Sequence, residues 1–345
     1  MVNVGIIGLG KMGKLHFQNC RHVDNIKISA VADASGENLS WAKERGVDNC
    51  YPDYLDLINK SDVDAVIIAL PHNLHVQSSI AALEAGIHVF LEKPLAVNLE
   101  EGKRIIDVVK KTGQLFMVGC NCRFIDSVAT VKKLFDDGIL GDIEIANFDN
   151  IGNGPFSPFL EPTPIPDWYF DADKVGGGAL LDLGYHMMDL YLWFFQDMNL
   201  EFACLSNRYN LPYEDSAVLI VKSPHTKTKG IINLGWFSRT LFPKFDFRVI
   251  LHGTVDFAST DAYTPNVYWN ALSEGTQNIF RRLIHKKIKP LSYTYYYHSY
   301  YKELEHFFDC IAASQKPIIS PEQSYRTLEL IQEAYTKYPR CEYNT

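Results

Sequence analysis

A lysine, and a histidine flanked by two aspartates, are the residues of this sequence whose types and spacing could move protons. Asp182, His186 and Asp189 recur at i, i+4 and i+7 in an otherwise apolar stretch, so a helix would place them on one polar stripe. An imidazole titrates near neutral pH, at roughly 6.5, so His186 can exchange a proton without special tuning. Lys93 follows an apolar run and could stabilise a developing negative charge.

The histidine stripe has two other interpretations. A buried histidine is commonly satisfied inside the core by neighbouring carboxylates. Asp182 and His186 could also supply two ligands to a metal ion, but no further histidine cluster completes such a site in the sequence. We therefore expect no metal.

The elements that would position these groups alternate between strand and helix from the start of the chain. Strands are predicted at Val2–Ile7, Ile28–Ala32, Ala65–Ala69, Val89–Leu91 and Leu115–Val118, with helices between them. Such alternation builds a doubly wound parallel sheet. Lys93 then stands at the carboxyl end of a strand, which is the edge where these sheets bind ligands.

A glycine-rich turn follows the first predicted strand. Gly8, Gly10 and Gly13 form the G-x-G-x-x-G pattern where a helix begins. Glycines at this spacing permit a tight turn, close approach of a pyrophosphate and close helix packing. The pyrophosphate would lie at the helix N-terminus. In this context the pattern indicates a Rossmann dinucleotide-binding domain.

Asp33 ends the second predicted strand. An acidic side chain at this place accepts hydrogen bonds from the ribose hydroxyls of NAD and repels the additional phosphate of NADP. The next residues, Ala34 and Ser35, are not basic, so NAD is favoured while NADP stays possible. The other interpretation of Asp33 is a helix N-cap.

In their order along the chain, these motifs resemble the Gfo/Idh/MocA family of oxidoreductases. The resemblance spans most of the chain, and four segments carry it: Gly8–Gly13, Asp33, Glu92–Pro94 and Gly176–Asp189. Two further segments support it. Leu70–His75 is similar to the family's nicotinamide-side loop, and Val118–Phe124 is similar to its domain crossing.

The resemblance implies an α/β fold with two domains. An N-terminal Rossmann domain with a doubly wound parallel sheet would occupy residues 1–122. A C-terminal α+β domain with an open, mostly antiparallel sheet, for substrate binding and oligomerisation, would occupy residues 123–345, and its C-terminal helices would pack back on the junction. Strand-like runs agree with this at Ile143–Phe148, Glu201–Ser206, Ala217–Val221, Gly230–Leu234 and Phe245–Leu251. The outer face of this sheet would pair subunits into a homodimer or homotetramer.

The resemblance also implies the site residues. For the cofactor these are Gly8, Gly10, Lys11, Met12, Gly13, Asp33, Leu70, Pro71, Asn73, His75, Glu92, Lys93 and Pro94. For catalysis they are Lys93, Asp182 and His186, and for the substrate Asn121, Arg123, Trp168, Lys174 and His186. An indole suits the apolar face of a sugar ring, although Trp168 could equally belong to the core.

The activity that follows is hydride transfer between a nicotinamide cofactor and a secondary alcohol of a cyclic polyol, sugar or sugar derivative. In this hypothesis His186 takes the hydroxyl proton, Asp182 orients His186, and Lys93 hydrogen-bonds the reacting oxygen. The resemblance leaves open that Lys93 itself accepts the proton. Two alternatives stay open: an imine or enone reductase on the same fold, and a non-catalytic regulator that senses a sugar or dinucleotide. A sensor needs no proton relay, so the presence of all three residues favours an enzyme.

The composition of the 345 residues excludes other classes of partner. Hydrophobic residues make up 47% and charged residues 21%, as in globular proteins. The net charge of -8 provides no basic surface for nucleic acid, and the apolar runs are far shorter than the ~20 residues of a membrane span. No signal-peptide pattern opens the sequence, and the seven scattered cysteines form no disulfide or zinc pattern. We expect a cytoplasmic protein with a small-molecule substrate.

Overall fold

A computed structural model describes residues 1–154, 167–237, 246–264, 267–284, 288 and 295–338. The chain forms two compact units. The first comprises Met1–Ala96, Glu100–Ile125 and Pro265–Glu322, and the second comprises Val97–Leu99, Asp126–Thr264 and Gln323–Thr345. The functional boundary between residues 122 and 123 stays a prediction.

The centre of the first unit is a six-stranded parallel sheet. Its strands are β1 (Val2–Ile7), β2 (Ile26–Ala32), β3 (Asn49–Tyr51), β4 (Ala65–Ile68), β5 (His88–Glu92) and β6 (Phe116–Gly119). The connecting helices are α1 (Lys11–Cys20), α2 (Gly36–Lys43), α3 (Tyr54–Lys60), α4 (His75–Glu84) and α5 (Leu99–Thr112). The strand order β3-β2-β1-β4-β5-β6 reverses direction at β1, which confirms the predicted doubly wound sheet. Strands β4 and β6 are buried along their whole length, as expected where helices cover both faces.

The second unit contains a mixed sheet of six strands. These are β7 (Ile143–Gly152), β8 (Asn199–Ser206), β9 (Ser216–Lys222), β10 (Lys229–Trp236), β11 (Asp246–Gly253) and β12 (Phe257–Ser259). Its helices are α6 (Asp126–Asp136), α7 (Ala172–Val175), α8 (Tyr185–Phe195) and α9 (Thr260–Tyr263). The order is β12-β11-β7-β10-β9-β8, and every neighbouring pair is antiparallel except β7 with β10. The predicted open, mostly antiparallel sheet is therefore confirmed.

One face of this second sheet packs against α8. Along β9, Ala217, Leu219 and Val221 are buried, and the residues between them are not, which is the alternation of a strand covered on one side. The rings of Phe148 on β7 and Tyr191 on α8 lie 5.6 Å apart between centroids. The almost wholly apolar α8 thus supplies the core that the strands require.

The opposite face of the second sheet carries an exposed apolar stripe. Phe202, Ile220 and Ile231 are direct cross-strand neighbours on β8, β9 and β10. Their side chains are 47%, 45% and 38% exposed. Aromatic and branched side chains in this register stabilise strand pairing, and here they also leave a continuous apolar surface.

Three further helices complete the described chain. They are α10 (Val267–Leu283), α11 (Tyr295–Ala313) and α12 (Pro321–Lys337). Helix α11 belongs to the first unit and packs against α1, whereas α12 begins in the first unit and continues in the second. The last two helices were predicted, and α10 was not. Among the described helices, none combines the length and the apolarity that crossing a bilayer would require.

Candidate active site

The turn after β1 uses its three glycines for different physical reasons. Gly8 has a φ of +90°, and a Cβ there would collide with the carbonyl oxygen of Ala69. A Cβ on Gly13 would overlap the carbonyl oxygen of Gly8, so this position packs α1 closely against β1. A Cβ on Gly10 would have nothing within 4 Å. The first and third glycines therefore close the turn, while the second leaves the backbone open to a ligand.

Helix α1 presents its N-terminus to this turn. Its N-cap is Gly10, which has no side chain to accept a hydrogen bond from the first-turn N–H groups. The first turn contains exposed Lys11 and half-buried Met12, and it carries no acidic residue. The N–H groups and the positive end of the helix dipole suit a phosphate group.

The carboxylate of Asp33 links the end of β2 to the glycine turn. Its Oδ2 accepts a hydrogen bond from the backbone N–H of Leu9 at 2.6 Å. Its Oδ1 accepts from the backbone N–H of Ser35 at 2.8 Å and from the side-chain amide of Asn38 at 3.1 Å. The N-cap of α2 is Ser35. The alternative interpretation of Asp33 as a helix N-cap was therefore wrong.

The loop after β4 is tied to the segment after β5 by a histidine. Nδ1 of His75 lies 2.8 Å from the carbonyl oxygen of Pro94, and Nε2 lies 2.9 Å from that of Leu70. Burial lowers the pKa of His75, against the opposing effect of these two carbonyl groups. Because the backbone engages both ring nitrogens, His75 links two loops. Pro71 and Asn73 beside it are half-buried, and Oδ1 of Asn73 has no hydrogen-bond partner among the described residues.

Lys93 follows β5 directly, as predicted, and its side chain is half-buried. Its backbone N–H donates to Oε2 of the buried Glu92 at 3.2 Å, and its peptide bond to Pro94 is cis. Strand β5 neighbours β4, which neighbours β1. The carboxyl ends of parallel strands meet at one edge, so Lys93 stands on the same edge of the sheet as the glycine turn.

In the second unit, Glu214 holds the glycine turn that precedes Asp182. Its Oε1 accepts hydrogen bonds from the backbone N–H of Gly178 at 3.1 Å, from that of Leu180 at 2.8 Å and from the hydroxyl of Tyr335 at 2.9 Å. A Cβ on Gly178 would collide with the backbone carbonyl of Glu214. This buried carboxylate was missed from the sequence, because nothing local distinguishes it from a surface glutamate.

The three residues of the predicted polar stripe do not share one regular α-helix, because Asp182 lies in a π-helical turn whereas His186 and Asp189 lie on the largely buried α8. Their arrangement as one stripe stays a prediction. Asp182 is half-buried, and His186 and Asp189 are buried. The segment Leu180–Gly184 is a π-helical turn that leads into α8. A regular helical periodicity does not predict this irregularity, and such π-helical turns are frequent at functional sites. Burial, reinforced by the charges of Asp182 and Glu214, raises the pKa of Tyr213 to about 12.

The residues predicted for the substrate have varied surroundings. Trp168 is half-buried and packs on a small core cluster in the second unit, which comprises Val175, Ala179, Tyr213 and Trp236. Lys174 is exposed, and its Nζ lies 2.7 Å from a carboxylate oxygen of Asp171. This hydrogen bond raises the pKa of Lys174. Substrate contact by either residue stays a prediction.

Asn121 and Arg123 are buried within the first unit. The side-chain amide of Asn121 donates to Oγ of Ser299 at 2.8 Å, and Nη1 of Arg123 donates to the carbonyl oxygen of Ile318 at 3.1 Å. These bonds join the turn after β6 to α11 and to the loop that follows it. Their role in substrate binding likewise stays a prediction.

Two buried ionisable residues beside Glu92 were missed from the sequence. Nε2 of His16 lies 2.5 Å from Oε1 of Glu92, and the carboxylate of Glu303 lies close to both. Their positions are far apart along the chain, so only the packing of α1 and α11 around the end of β5 reveals the cluster.

The first unit fits a dinucleotide. The backbone at Gly10 is accessible, the α1 N-terminus faces the turn, and Asp33 lies beside Leu9 at the end of β2. These features, together with the strand order, define a dinucleotide-binding Rossmann domain joined to a second unit built on a mixed sheet.

Two family models match the chain. Residues 2–120 match the model described as the oxidoreductase family, NAD-binding Rossmann fold, and residues 128–256 match the GFO/IDH/MocA C-terminal domain. The two matches together span well over half of the sequence. The chain therefore belongs to the Gfo/Idh/MocA family of oxidoreductases, and its first domain is an NAD-binding Rossmann domain.

Individual relatives agree with this membership. The chain is 32% identical over 190 residues to myo-inositol 2-dehydrogenase of Thermotoga maritima, covering 55% of this chain and 53% of the relative. It is 25% identical over 348 residues to scyllo-inositol 2-dehydrogenase (NAD(+)) of Bacillus subtilis, covering 95% and 92%. The aligned part spans about half the length of several other curated relatives.

A solved structure shows the same fold over nearly the whole chain. The crystal structure of scyllo-inositol dehydrogenase from Lactobacillus casei with bound NAD(H) and scyllo-inositol superposes with a TM-score of 0.78 at 24% identity. The match covers 98% of this chain and 97% of that one.

Proposed function

We propose that this protein is an NAD-dependent dehydrogenase that oxidises a secondary alcohol of a cyclic polyol, sugar or sugar derivative. The observation that carries the proposal is the position of Lys93 on the edge of the sheet that also forms the dinucleotide cradle. Relatives named as NAD-dependent and inositol dehydrogenases support a polyol as the substrate class.

Bound NAD supplies the hydride acceptor. In the proposal the Lys93 ammonium donates a hydrogen bond to the reacting oxygen and stabilises the alkoxide as its charge develops. His186 accepts the hydroxyl proton, and Asp182 orients the imidazole and stabilises its charged form. The buried helix and the carboxylate of Glu214 at its start keep both residues in fixed positions.

The preference for NAD over NADP rests on Asp33. Its carboxylate is held at the end of β2 by Leu9 and Ser35, so it cannot swing away from the ribose without losing these bonds. A second negative charge from a ribose phosphate would be repelled there.

We further propose that the exposed apolar stripe of the second sheet joins subunits into a homodimer or homotetramer. A contiguous apolar surface of this kind commonly marks a protein interface. No disulfide joins any of the described cysteines, which supports a reducing, cytoplasmic location. Sedimentation of wild type and of Ile220→Asp tests the interface. We expect a smaller species for the variant, and identical sedimentation would reject it.

The activity is tested by mixing the protein with NAD⁺ or NADP⁺ and a panel of cyclitols, sugars, sugar acids and sugar nucleotides. Appearance of the reduced cofactor reports turnover. We expect turnover with NAD⁺ and a cyclic polyol, and its loss in Lys93→Ala. Lys103→Ala, which removes an exposed lysine of the same unit, should keep wild-type turnover. Saturable NAD⁺ binding without turnover on any member of the panel would favour a sensor.

A further inference from the structure

Three ionisable side chains from separate elements meet inside the first unit. His16 lies on α1, Glu92 ends β5, and Glu303 lies on α11. His16 and Glu303 are fully buried, and Glu92 is 7% exposed. One nitrogen or oxygen atom of each residue lies within 4.8 Å of the others. We call these three residues the acid cluster.

The acid cluster contains two carboxyl groups, and the described residues around Glu303 do not compensate a negative charge on it. Both carboxylate oxygens of Glu303 are buried with no hydrogen-bond partner among the described residues. An ionised carboxylate in that position would be costly, because both oxygens are buried and no described donor contacts them. Burial raises the pKa of Glu303 well above its usual range, and the charge of Glu92 acts in the same direction. A neutral Glu303 removes this cost and gains an O–H donor.

Glu92 connects the acid cluster to Lys93. Its Oε1 lies 2.5 Å from Nε2 of His16, and its Oε2 accepts the backbone N–H of Lys93 at 3.2 Å. A carboxylate has about four acceptor sites, so Glu92 can serve His16, Lys93 and a protonated Glu303 together. Glu92 therefore fixes the backbone from which the Lys93 side chain extends.

We propose that Glu303 carries a proton in the folded protein and that the acid cluster is a positioning device for Lys93. The positioning role rests on the function proposed above for Lys93, while the protonation of Glu303 does not. His16, Glu92 and Glu303 are thus positioning residues, which act on the reaction through Lys93.

The groups that face the acid cluster come from three elements. They are Lys93 at the end of β5, His75 from α4, which interacts electrostatically with Glu92, and the ring of Tyr300 from α11, which lies 6.1 Å from the His16 ring. The edge of Phe90 also packs on His16, at 5.4 Å between centroids. These aromatic neighbours keep the site dry, which strengthens the preference for a neutral acid.

A divalent cation is the competing occupant, since one imidazole and two carboxylates are also a metal donor set. The contact between His16 and Glu92 argues against it. Two ligands of one tetrahedral zinc ion, each bound at ~2.0–2.1 Å, would stand ~3.3 Å apart. The observed 2.5 Å is a direct contact, shorter than an ordinary N–H···O hydrogen bond, and it leaves no room for an ion bound to both atoms.

Infrared spectroscopy tests the proton directly. Protein labelled with ¹³C in glutamate should show the stretch of a protonated carboxylic acid at neutral pH, and that band should be missing from Glu303→Gln. The exposed glutamate in Glu84→Gln is the control and should leave the band in place. Absence of the band from wild type would overturn the proposal, and so would stoichiometric metal in the purified protein.

The dependence of stability on pH gives a second readout that needs no activity. The pKa of Glu303 is raised on folding above the unfolded value of about 4.3. The stability it contributes is therefore complete below that pH and is lost as pH rises through its folded-state pKa. Glu303→Gln should lack this loss. As pH rises, the midpoint of thermal unfolding of the variant should therefore increase relative to that of wild type. If the unfolding midpoints of wild type and Glu303→Gln changed with pH in the same way, Glu303 would not be protonated in the folded protein.

Turnover separates positioning from simple packing. Glu84→Gln, which changes an exposed glutamate outside the acid cluster, should keep wild-type kcat. Glu92→Gln has one acceptor oxygen in place of two, and it should lower kcat roughly ten- to hundredfold with little change in NAD⁺ affinity. An unchanged kcat in Glu92→Gln would reject the positioning role. If no substrate turns over at all, the proposed function fails, and the infrared and stability results still decide the state of Glu303.

Discussion

His75 and Pro94 are joined across two loops by a 2.8 Å contact between the imidazole Nδ1 and a carbonyl oxygen. The other ring nitrogen contacts Leu70, so one buried side chain connects the loop after β4 to the segment that carries Lys93. Replacing this side chain should disturb two parts of the proposed cofactor site together. In His75→Gln we expect kcat to fall about tenfold, with weaker NAD⁺ binding. Steady-state kinetics measures kcat, and calorimetry measures NAD⁺ binding. Wild-type values for both would show that His75 does not shape the cofactor site.

His75 should also contribute to acid sensitivity. Burial lowers its pKa in the folded protein, whereas the unfolded chain takes up a proton below about pH 6.5. The stability it contributes is therefore present above that pH and is lost as pH falls toward the folded-state pKa. Urea unfolding of wild type and His75→Gln between about pH 8 and 5 should show a shallower decline for the variant. The same slope in both would contradict the neutral state of His75.

The three glycines of the first turn should respond differently to alanine. Gly13→Ala forces a Cβ against the carbonyl of Gly8 and should lower the free energy of unfolding by about 3 kcal/mol. Gly10→Ala meets no neighbour, so it should fold normally and yet weaken NAD⁺ binding about tenfold by filling the cradle. Gly275→Ala, at an open helical position, is the control: it should leave NAD⁺ affinity unchanged and raise the free energy of unfolding by up to about 1 kcal/mol. Normal NAD⁺ affinity in Gly10→Ala would show that the ligand does not approach this backbone.

Asp33 should set the choice between the two dinucleotides. Asp33→Asn keeps the size of the side chain and an oxygen that can accept from Leu9, but it removes the negative charge. We expect NAD⁺ affinity to fall about tenfold and NADP⁺ affinity to rise, because a charge-assisted hydrogen bond and a repulsion disappear together. Calorimetric titration with both dinucleotides measures this. An unchanged ratio of the two dissociation constants would show that Asp33 does not contact the ribose.

Glu214 should stabilise the second unit and the helix that carries His186. Glu214→Ala leaves the N–H groups of Gly178 and Leu180 without their acceptor, and we expect a loss of about 3 kcal/mol in unfolding free energy. Tyr335→Phe removes one donor to the same carboxylate and should cost about 1 kcal/mol. The exposed Glu201→Ala serves as control. Denaturant unfolding ranks the three variants, and an equal effect of Glu214→Ala and Glu201→Ala would contradict this role.

Much of the fold could be predicted because its signals are local. Apolar strands such as Ala65–Ile68 and the glycine pattern from Gly8 follow from neighbouring residues alone. Strand β3 is only three residues long, and its sequence Asn-Cys-Tyr carries no periodicity. Helix α10 was missed although its sequence is amphipathic, and it leaves Trp269 and Phe280 largely exposed.

The candidate site was only partly predictable, because several of its contacts join distant residues. Lys93 and Asp33 could be predicted as site residues because each lies at the carboxyl end of an apolar strand. Glu214 and Glu303 do not, because a glutamate in sequence carries no sign of whether packing will bury it. The π-helical turn at Asp182, whose first N–H is accepted by Glu214, departs from the regular helical periodicity from which the sequence was interpreted.

The most direct test of the central claim follows the hydride itself. A cyclic polyol deuterated at its reacting carbon is incubated with NAD⁺ and the purified protein, with Lys93→Ala and Lys103→Ala run beside it, and the recovered nicotinamide cofactor is analysed by mass spectrometry. We expect deuterium in the reduced cofactor for wild type and Lys103→Ala, and none for Lys93→Ala. Tight NAD⁺ binding with no label transferred from any polyol, sugar or sugar derivative would contradict the dehydrogenase.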